Sequence, residues 1–63
     1  MPTIFFYGPP LPKAKKSELI RNFTEAASEA TGIQKSAFVV YLRETDSGEV
    51  GVGGELLEDL QKK

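Results

Sequence analysis

Two short apolar segments, separated by a single long amphipathic segment, constrain the fold of this 63-residue chain most strongly. Residues 3–7 and 37–42 are rich in β-branched and aromatic side chains, which favour strands, and both faces of each segment carry apolar groups. The segment between them has the apolar spacing of a helix. A strand, a helix and a second strand form a βαβ unit, in which the strands are parallel and the crossover is right-handed. We therefore predict an α/β fold built on one βαβ unit.

The helix is predicted to begin at Pro12 or Lys13 and to end at Thr31. Its apolar side chains recur at intervals of three and four residues, which places them in one stripe. They are Leu19, Ile20, Phe23, Ala26, Ala27 and Ala30. Gly32 follows directly and is expected to cap the helix in the left-handed conformation.

One helix covers only one face of a two-stranded sheet, and this leaves the other apolar face without a partner. A chain of this size has a marginal core unless disulfides, metals or oligomerisation support it. The chain has no Cys and no His, so disulfides, thiolate chemistry, zinc fingers and imidazole catalysis are excluded. We therefore predict that the open face meets another copy of the chain, with oligomer assembly as the remaining support.

The net charge of −1 gives no electrostatic reason to expect a nucleic-acid or anionic-membrane partner. No apolar run approaches the length of a membrane span, and the N-terminus has no signal-peptide pattern. The predicted location is cytoplasmic.

The C-terminal third is predicted to contain only short secondary-structure elements, joined by turns. Residues 43–48 are polar and contain turn formers. Residues 49–54 are too rich in glycine for a central strand and suit a short hairpin or edge strand. Residues 55–63 form an amphipathic tail, too short for a stable helix alone. We expect this tail to pack on a neighbouring subunit.

Pro2 is the candidate base of the chain. Removal of Met1 would leave Pro2 with a free secondary amine, and α-amino groups titrate near pH 8, far below lysine. Burial in an apolar pocket disfavours the cation and would lower that pKa further. The alternative is that Pro2 is only an ordinary second residue. The carboxylates of the loop region, which are Glu44, Asp46, Glu49 and Glu55, are interpreted as solvated charges, and the glycine run lacks the lysine of a phosphate loop.

These features together resemble the 4-oxalocrotonate tautomerase family. The resemblance rests on the Met-Pro start with its apolar strand, the helix with Glu18-Leu19-Ile20-Arg21 and Glu25-Ala26, the second strand, and Gly51-Val52-Gly53-Gly54-Glu55-Leu56. It covers nearly the whole chain and implies one tautomerase-like domain over residues 1–63. It implies dimers with a continuous four-stranded sheet, commonly three dimers in a hexamer, and no cofactor or metal. It also implies that Pro2 is the general base that moves a proton between enol and keto forms of a small molecule.

The chain departs from the family pattern at its substrate-binding positions. The places of two arginines and a phenylalanine hold Leu11, Val39 and Val50 here. The arginines grip a substrate carboxylate in the family, so 2-oxo-dicarboxylates are expected to be poor substrates unless another cation substitutes. Arg43 is the first candidate substitute and Lys13 the second. The candidate substrate-binding residues are therefore Arg43, Lys13, Val39 and Val50.

Two other functions are compatible with the same residues. A protonated Pro2 could act as an acid in hydration or dehalogenation, if Glu44 or Glu49 points into the pocket and activates water. Alternatively, the chain is a non-catalytic oligomer whose glycine hairpin serves assembly only. Retention of Met1 would make the Pro2 nitrogen an amide and would favour this last possibility.

Overall fold

The structure is a computed structural model that describes residues 1–61. Its elements in chain order are β1 (Thr3–Gly8), α1 (Lys13–Thr31), β2 (Val39–Glu44), β3 (Gly51–Val52), β4 (Glu55–Leu56) and α2 (Leu57–Gln61). Short 3₁₀ turns precede β2 (Lys35–Ala37) and β3 (Ser47–Glu49). Neither described helix has the length and hydropathy needed to cross a bilayer.

The two long strands are parallel, which confirms the predicted βαβ unit. β1 pairs with β2 from Thr3 opposite Val39 to Gly8 opposite Glu44. One further bond extends the ladder at the carboxyl end, where the Thr45 N–H donates to the Gly8 carbonyl at 2.7 Å. The register places every second residue of both strands on the same face.

The helix α1 has the predicted bounds and caps. The backbone N–H groups of Lys15 and Lys16 both donate to the Pro12 carbonyl at 3.0 Å, so the chain enters the helix directly from Pro12. Gly32 adopts φ 77°, in the left-handed region, and its N–H donates to the Ser28 carbonyl at 2.8 Å. A glycine takes this conformation without a steric cost, which explains why the helix ends here.

The second strand lies two residues later than predicted. Lys35–Ala37 forms a 3₁₀ turn, and the Phe38 N–H closes it by donating to the Lys35 carbonyl at 3.1 Å. The prediction of residues 37–42 was therefore wrong at both ends, since the strand is Val39–Glu44. Residues 43 and 44, predicted as part of a turn, pair with the last two residues of β1.

The predicted glycine hairpin is present. β3 and β4 pair antiparallel, with Gly51 opposite Leu56 and Val52 opposite Glu55. Gly53 and Gly54 connect them with φ values of 61° and 87°. Positive φ at both central residues is the requirement of a tight hairpin turn and explains the glycine pair.

The C-terminal tail forms a short helix, α2, which contacts the 3₁₀ turn Ser47–Glu49 of its own chain. The Leu57 N–H donates to the Val50 carbonyl at 2.7 Å, which ties the start of this helix to the loop before β3. The predicted tail also includes residues 62 and 63, which lie outside the described residues. Its predicted contact with a neighbouring subunit stays a prediction.

The two faces of the sheet differ in burial. Toward α1, the side chains of Ile4, Phe6, Val40 and Leu42 are half-buried, and the Phe6 and Phe23 rings lie 5.5 Å apart. On the other face, the rings of Phe5 and Tyr41 stack 5.1 Å apart but are 59% and 47% exposed. Tyr7, on the same open face, is 70% exposed.

The single chain is extended for its size. No residue within 1–61 is fully buried, and the accessible surface is 4912 Å². A compact monomer of 6.9 kDa would expose about 4,000 Å². The radius of gyration is 14.8 Å, whereas a compact domain of this length has about 11 Å. The chain alone therefore leaves more surface uncovered than a compact monomer does, and the exposed rings of Phe5, Tyr7 and Tyr41 are part of it.

Candidate active site

Pro2 is fixed at the amino end of the two-stranded sheet. Its carbonyl accepts the Val39 N–H at 3.0 Å, which continues the β1–β2 ladder by one bond. The residue is half-buried. The backbone of the candidate base is thus held by a strand on one side, and the structure brings Pro2 and Val39 together as neighbours.

A cleft of about 670 Å³ lies at the opposite, carboxyl end of the sheet. The chain segments after β1 and β2 and the start of α2 form its walls. Its lining residues are Tyr7, Gly8, Pro9, Pro10, Thr45, Asp46, Ser47, Glu49, Val50, Gly51, Leu57 and Gln61. Val50, a predicted substrate-binding residue, is one of them.

The two candidate cations lie outside this cleft. Arg43 lines a separate, small cavity of about 10 Å³, together with Leu11, Lys16 and Glu44. In that region the Lys16 Nζ lies 2.6 Å from the Glu44 Oε1. Lys13 is exposed at the start of α1. Neither Arg43 nor Lys13 is among the residues that line the larger cleft.

Pro2 and the cleft are separated by the length of β1. The strand has six residues, and at about 3.3 Å per residue it spans roughly 20 Å. No side chain bridges that distance. The predicted site residues therefore fall into two groups within one chain, with Pro2 and Val39 at one end and Val50 at the other.

The cleft is acidic in its described part. Asp46 and Glu49 line it, and no lysine or arginine within residues 1–61 does. The Asp46 Oδ2 and the Glu58 Oε2 lie 3.5 Å and 3.9 Å from the position that a Gly48 Cβ would occupy, so a third carboxylate approaches the same region. The two ion pairs of the described chain, Lys16 with Glu44 and Lys35 with Glu25, involve none of these three carboxylates.

Several cleft residues were not predicted from the sequence. Thr45 and Ser47 contribute hydroxyl groups and Leu57 an apolar wall, whereas Tyr7 was already a candidate helper as a hydroxyl-bearing residue of the first strand. The signal that could have found them is topological, because the carboxyl ends of parallel strands meet at the same edge of a sheet. Tyr7 lies at the end of β1, and Thr45 and Ser47 follow β2.

The described residues offer no donor set for a metal ion. Within residues 1–61, no three His, Cys, Asp or Glu side chains are grouped as a metal site requires. The groups that can act on a ligand are the carboxylates and hydroxyls of the cleft and, when Met1 is removed, the Pro2 amine.

Comparison with known proteins identifies relatives along almost the whole chain. The sequence model of a family described as tautomerase enzymes matches residues 2–60. A probable tautomerase of Campylobacter jejuni is 36% identical over 55 residues, which are 87% of this chain and 81% of that protein.

Solved structures with the same fold include DmpI from Archaeoglobus fulgidus, at 38% identity and a TM-score of 0.86, covering 92% of this chain and 100% of that one. A homologue of 4-oxalocrotonate tautomerase, YwhB, superposes with a TM-score of 0.85 at 27% identity, covering 92% of this chain and 97% of that one. The family match over residues 2–60 includes both long strands, the helix α1 and the hairpin.

Proposed function

Because the chain belongs to the tautomerase family, we propose that it interconverts the enol and keto forms of a small molecule, with the Pro2 amine as general base. The proposal requires that Met1 be removed, because an amide nitrogen cannot accept a proton. The observation that carries it is the placement of Pro2, which the bond from Val39 fixes at the end of a rigid strand.

The proposed reaction needs one group that both accepts and returns a proton. The neutral Pro2 amine takes the proton of the enol hydroxyl, and the resulting ammonium group delivers a proton to the carbon next to the new carbonyl. Proton and charge balance at the end of the cycle, so no cofactor is required. An α-amino group is suited to this role because its pKa of about 8 lies near the working pH.

The cleft of a second copy would complete the site. A sheet with two strands has two free edges, and pairing of β1 with β1 of a second copy around a twofold axis is antiparallel. Such pairing places Pro2 of one copy beside the carboxyl end of β1 in the other, where the cleft opens. The exposed Phe5, Tyr7 and Tyr41, and the excess accessible surface of the single chain, support association of this kind.

In this arrangement Val39 lies beside the base and Val50 in the receiving cleft, and both supply apolar surface. Arg43 and Lys13 remain the candidates for the missing cations. If Arg43 or Lys13 takes the place of the missing arginines, its substitution by alanine lowers the turnover of an enol that carries a carboxylate. A continuous four-stranded sheet and a hexamer of three dimers are the assembly that we propose.

The direct test is ketonisation of phenylenolpyruvate and its methyl ester by protein whose mass shows that Met1 is absent. We expect an N-terminal tag, which turns the Pro2 nitrogen into an amide, to lower kcat/KM at least about 100-fold, because a general base contributes in this range. Pro2→Ala keeps an α-amine, although a primary one, and should lower kcat/KM by less. The matched control is Pro12→Ala, which lies outside both the cleft and the β1 start and should retain wild-type turnover.

Equal rates for mature protein and for protein whose Pro2 nitrogen is an amide would remove the Pro2 amine from the mechanism. Absence of turnover with both enols, in mature protein of the correct mass, would favour the non-catalytic oligomer.

Glu49 supports a second candidate function, hydration or dehalogenation with protonated Pro2 as the acid. Of the two carboxylates considered for activating water, Glu49 lines the cleft whereas Glu44 is paired with Lys16. The pH profile separates the two functions. A neutral amine is the base in ketonisation, so that rate rises as pH increases through the pKa of Pro2. A cationic amine is the acid in hydration, so that rate falls over the same interval.

The measurement is kcat/KM between pH 5 and 10 for an enol and for an electron-poor unsaturated acid. We expect the rising profile with the enol. A falling profile with the unsaturated acid, together with loss of its turnover in Glu49→Gln but not in Glu44→Gln, would establish the second function instead.

A further inference from the structure

The charge of the cleft bears on which enols the site accepts. The two described acidic residues that line it, Asp46 and Glu49, stand beside Tyr7, Val50 and Leu57, which give it aromatic and apolar surface. Glu58 adds a third carboxylate near Asp46, since oxygens of both lie within 4 Å of the position that a Gly48 Cβ would occupy. A ligand in the cleft would therefore lie next to several negative charges.

No described cation lines the cleft. Lys16, near the carboxyl end of the sheet, is paired with Glu44 at 2.6 Å. Arg43 lies opposite Tyr7 in the sheet but is not among the residues that line the cleft, and Lys13 is exposed at the start of α1. The lining of the cleft therefore offers a carboxylate no described side chain of opposite charge.

We propose that the site selects uncharged enols, with an aromatic or apolar body, over enols that carry a carboxylate. This inference rests on the proposed function, since it assumes that the cleft receives the substrate. The carboxylates that line the cleft repel a carboxylate of the substrate, whereas an ester or ketone of the same shape carries no charge and is not repelled. The hydroxyls of Thr45 and Ser47 remain available to an uncharged carbonyl or hydroxyl group.

A matched pair of enols tests the inference. Phenylenolpyruvate and its methyl ester share the aromatic ring and the enol but differ in one negative charge. With each rate divided by its uncatalysed rate in the same buffer, we expect kcat/KM of the ester to exceed that of the acid by about tenfold or more at low ionic strength. Added salt should narrow the difference, because it screens the repulsion.

Neutral variants identify the source of the preference. Asp46→Asn with Glu49→Gln removes two charges with little change of shape and should raise the acid-to-ester ratio of kcat/KM by about fivefold or more. The matched control is Glu18→Gln with Glu29→Gln, which removes two charges from exposed positions of α1 and should leave the ratio unchanged.

The possible failures are distinguishable. Turnover that depends on Pro2 but favours the acid, or a ratio that does not respond to Asp46→Asn with Glu49→Gln, overturns the charge preference and leaves the proposed function intact. Turnover of either enol that is unaffected when the Pro2 nitrogen is an amide overturns the proposed function itself.

Discussion

At the scale of single residues, Gly8 is the glycine at which an added Cβ would meet the closest neighbouring atom. A Cβ there would lie 2.6 Å from the Phe6 Cε2 and 3.0 Å from the Phe6 Cζ. The Phe6 ring packs against Phe23, so it cannot move away without disturbing the contact between the sheet and α1. Gly8 is therefore a requirement of packing, since its φ does not lie in the left-handed region.

We predict that Gly8→Ala lowers the free energy of unfolding by about 1–3 kcal/mol, the usual cost of overpacking. The control is Gly48→Ala, where the nearest side-chain atom would be an ordinary 3.5 Å away. Urea denaturation of both variants at one protein concentration checks this. Equal stability of the Gly8 variant and the wild type would show that Phe6 moves freely.

The candidate base could be predicted from the sequence, whereas the cleft at the other end of β1 could not. Pro2 was identified because its possible chemistry depends only on its position in the chain. The cleft residues Tyr7, Thr45 and Ser47 come from two separate strand ends, and only the register of β1 against β2 shows that they meet. The loop carboxylates Asp46 and Glu49 were interpreted as solvated charges for the same reason.

At the scale of elements, the helix was predictable because its signals are local. The apolar spacing, Pro12 before the first turn and Gly32 after the last one define α1 within the sequence itself. The hairpin was predictable for a similar reason, because Gly53 and Gly54 suit a turn with two positive φ values.

The second strand was placed two residues early because its limits depend on another element. Ala37 and Phe38 are apolar and read as strand, but they close the 3₁₀ turn that precedes it. Arg43 and Glu44 are polar and read as turn, but Tyr7 and Gly8 of β1 extend far enough to pair with them. Pairing with β1, rather than side-chain polarity, decides where β2 ends.

At the scale of the whole molecule, the accessible surface of the single chain indicates how much area an interface with another copy would bury. The chain exposes 4912 Å², roughly 900 Å² more than a compact monomer of its mass. Each partner in an interface of standard size loses about 800 Å². One further copy of the chain on the open sheet face or along the free edge of β1 would account for this excess.

Assembly also has a consequence for chemistry, because Pro2 and the cleft lie at opposite ends of β1. The proposed twofold dimer would contain two sites, and each would combine the base of one copy with the cleft of the other. A dimer of two chains that lack the base would be inactive, and so would a dimer of two chains whose clefts are blocked. In a mixed dimer, however, one of the two sites would be intact.

The most direct measurement is therefore complementation between an N-terminally tagged variant, in which the Pro2 nitrogen is an amide, and Val50→Trp, whose bulky indole fills the cleft. The two variants are unfolded together, refolded as a mixture and assayed for ketonisation, after each alone has been shown to be inactive and associated. Random pairing makes half of the dimers mixed, so the account predicts about one quarter of wild-type activity in the mixture. A mixture as inactive as its components would contradict it, because the base and the cleft would then have to act within one chain.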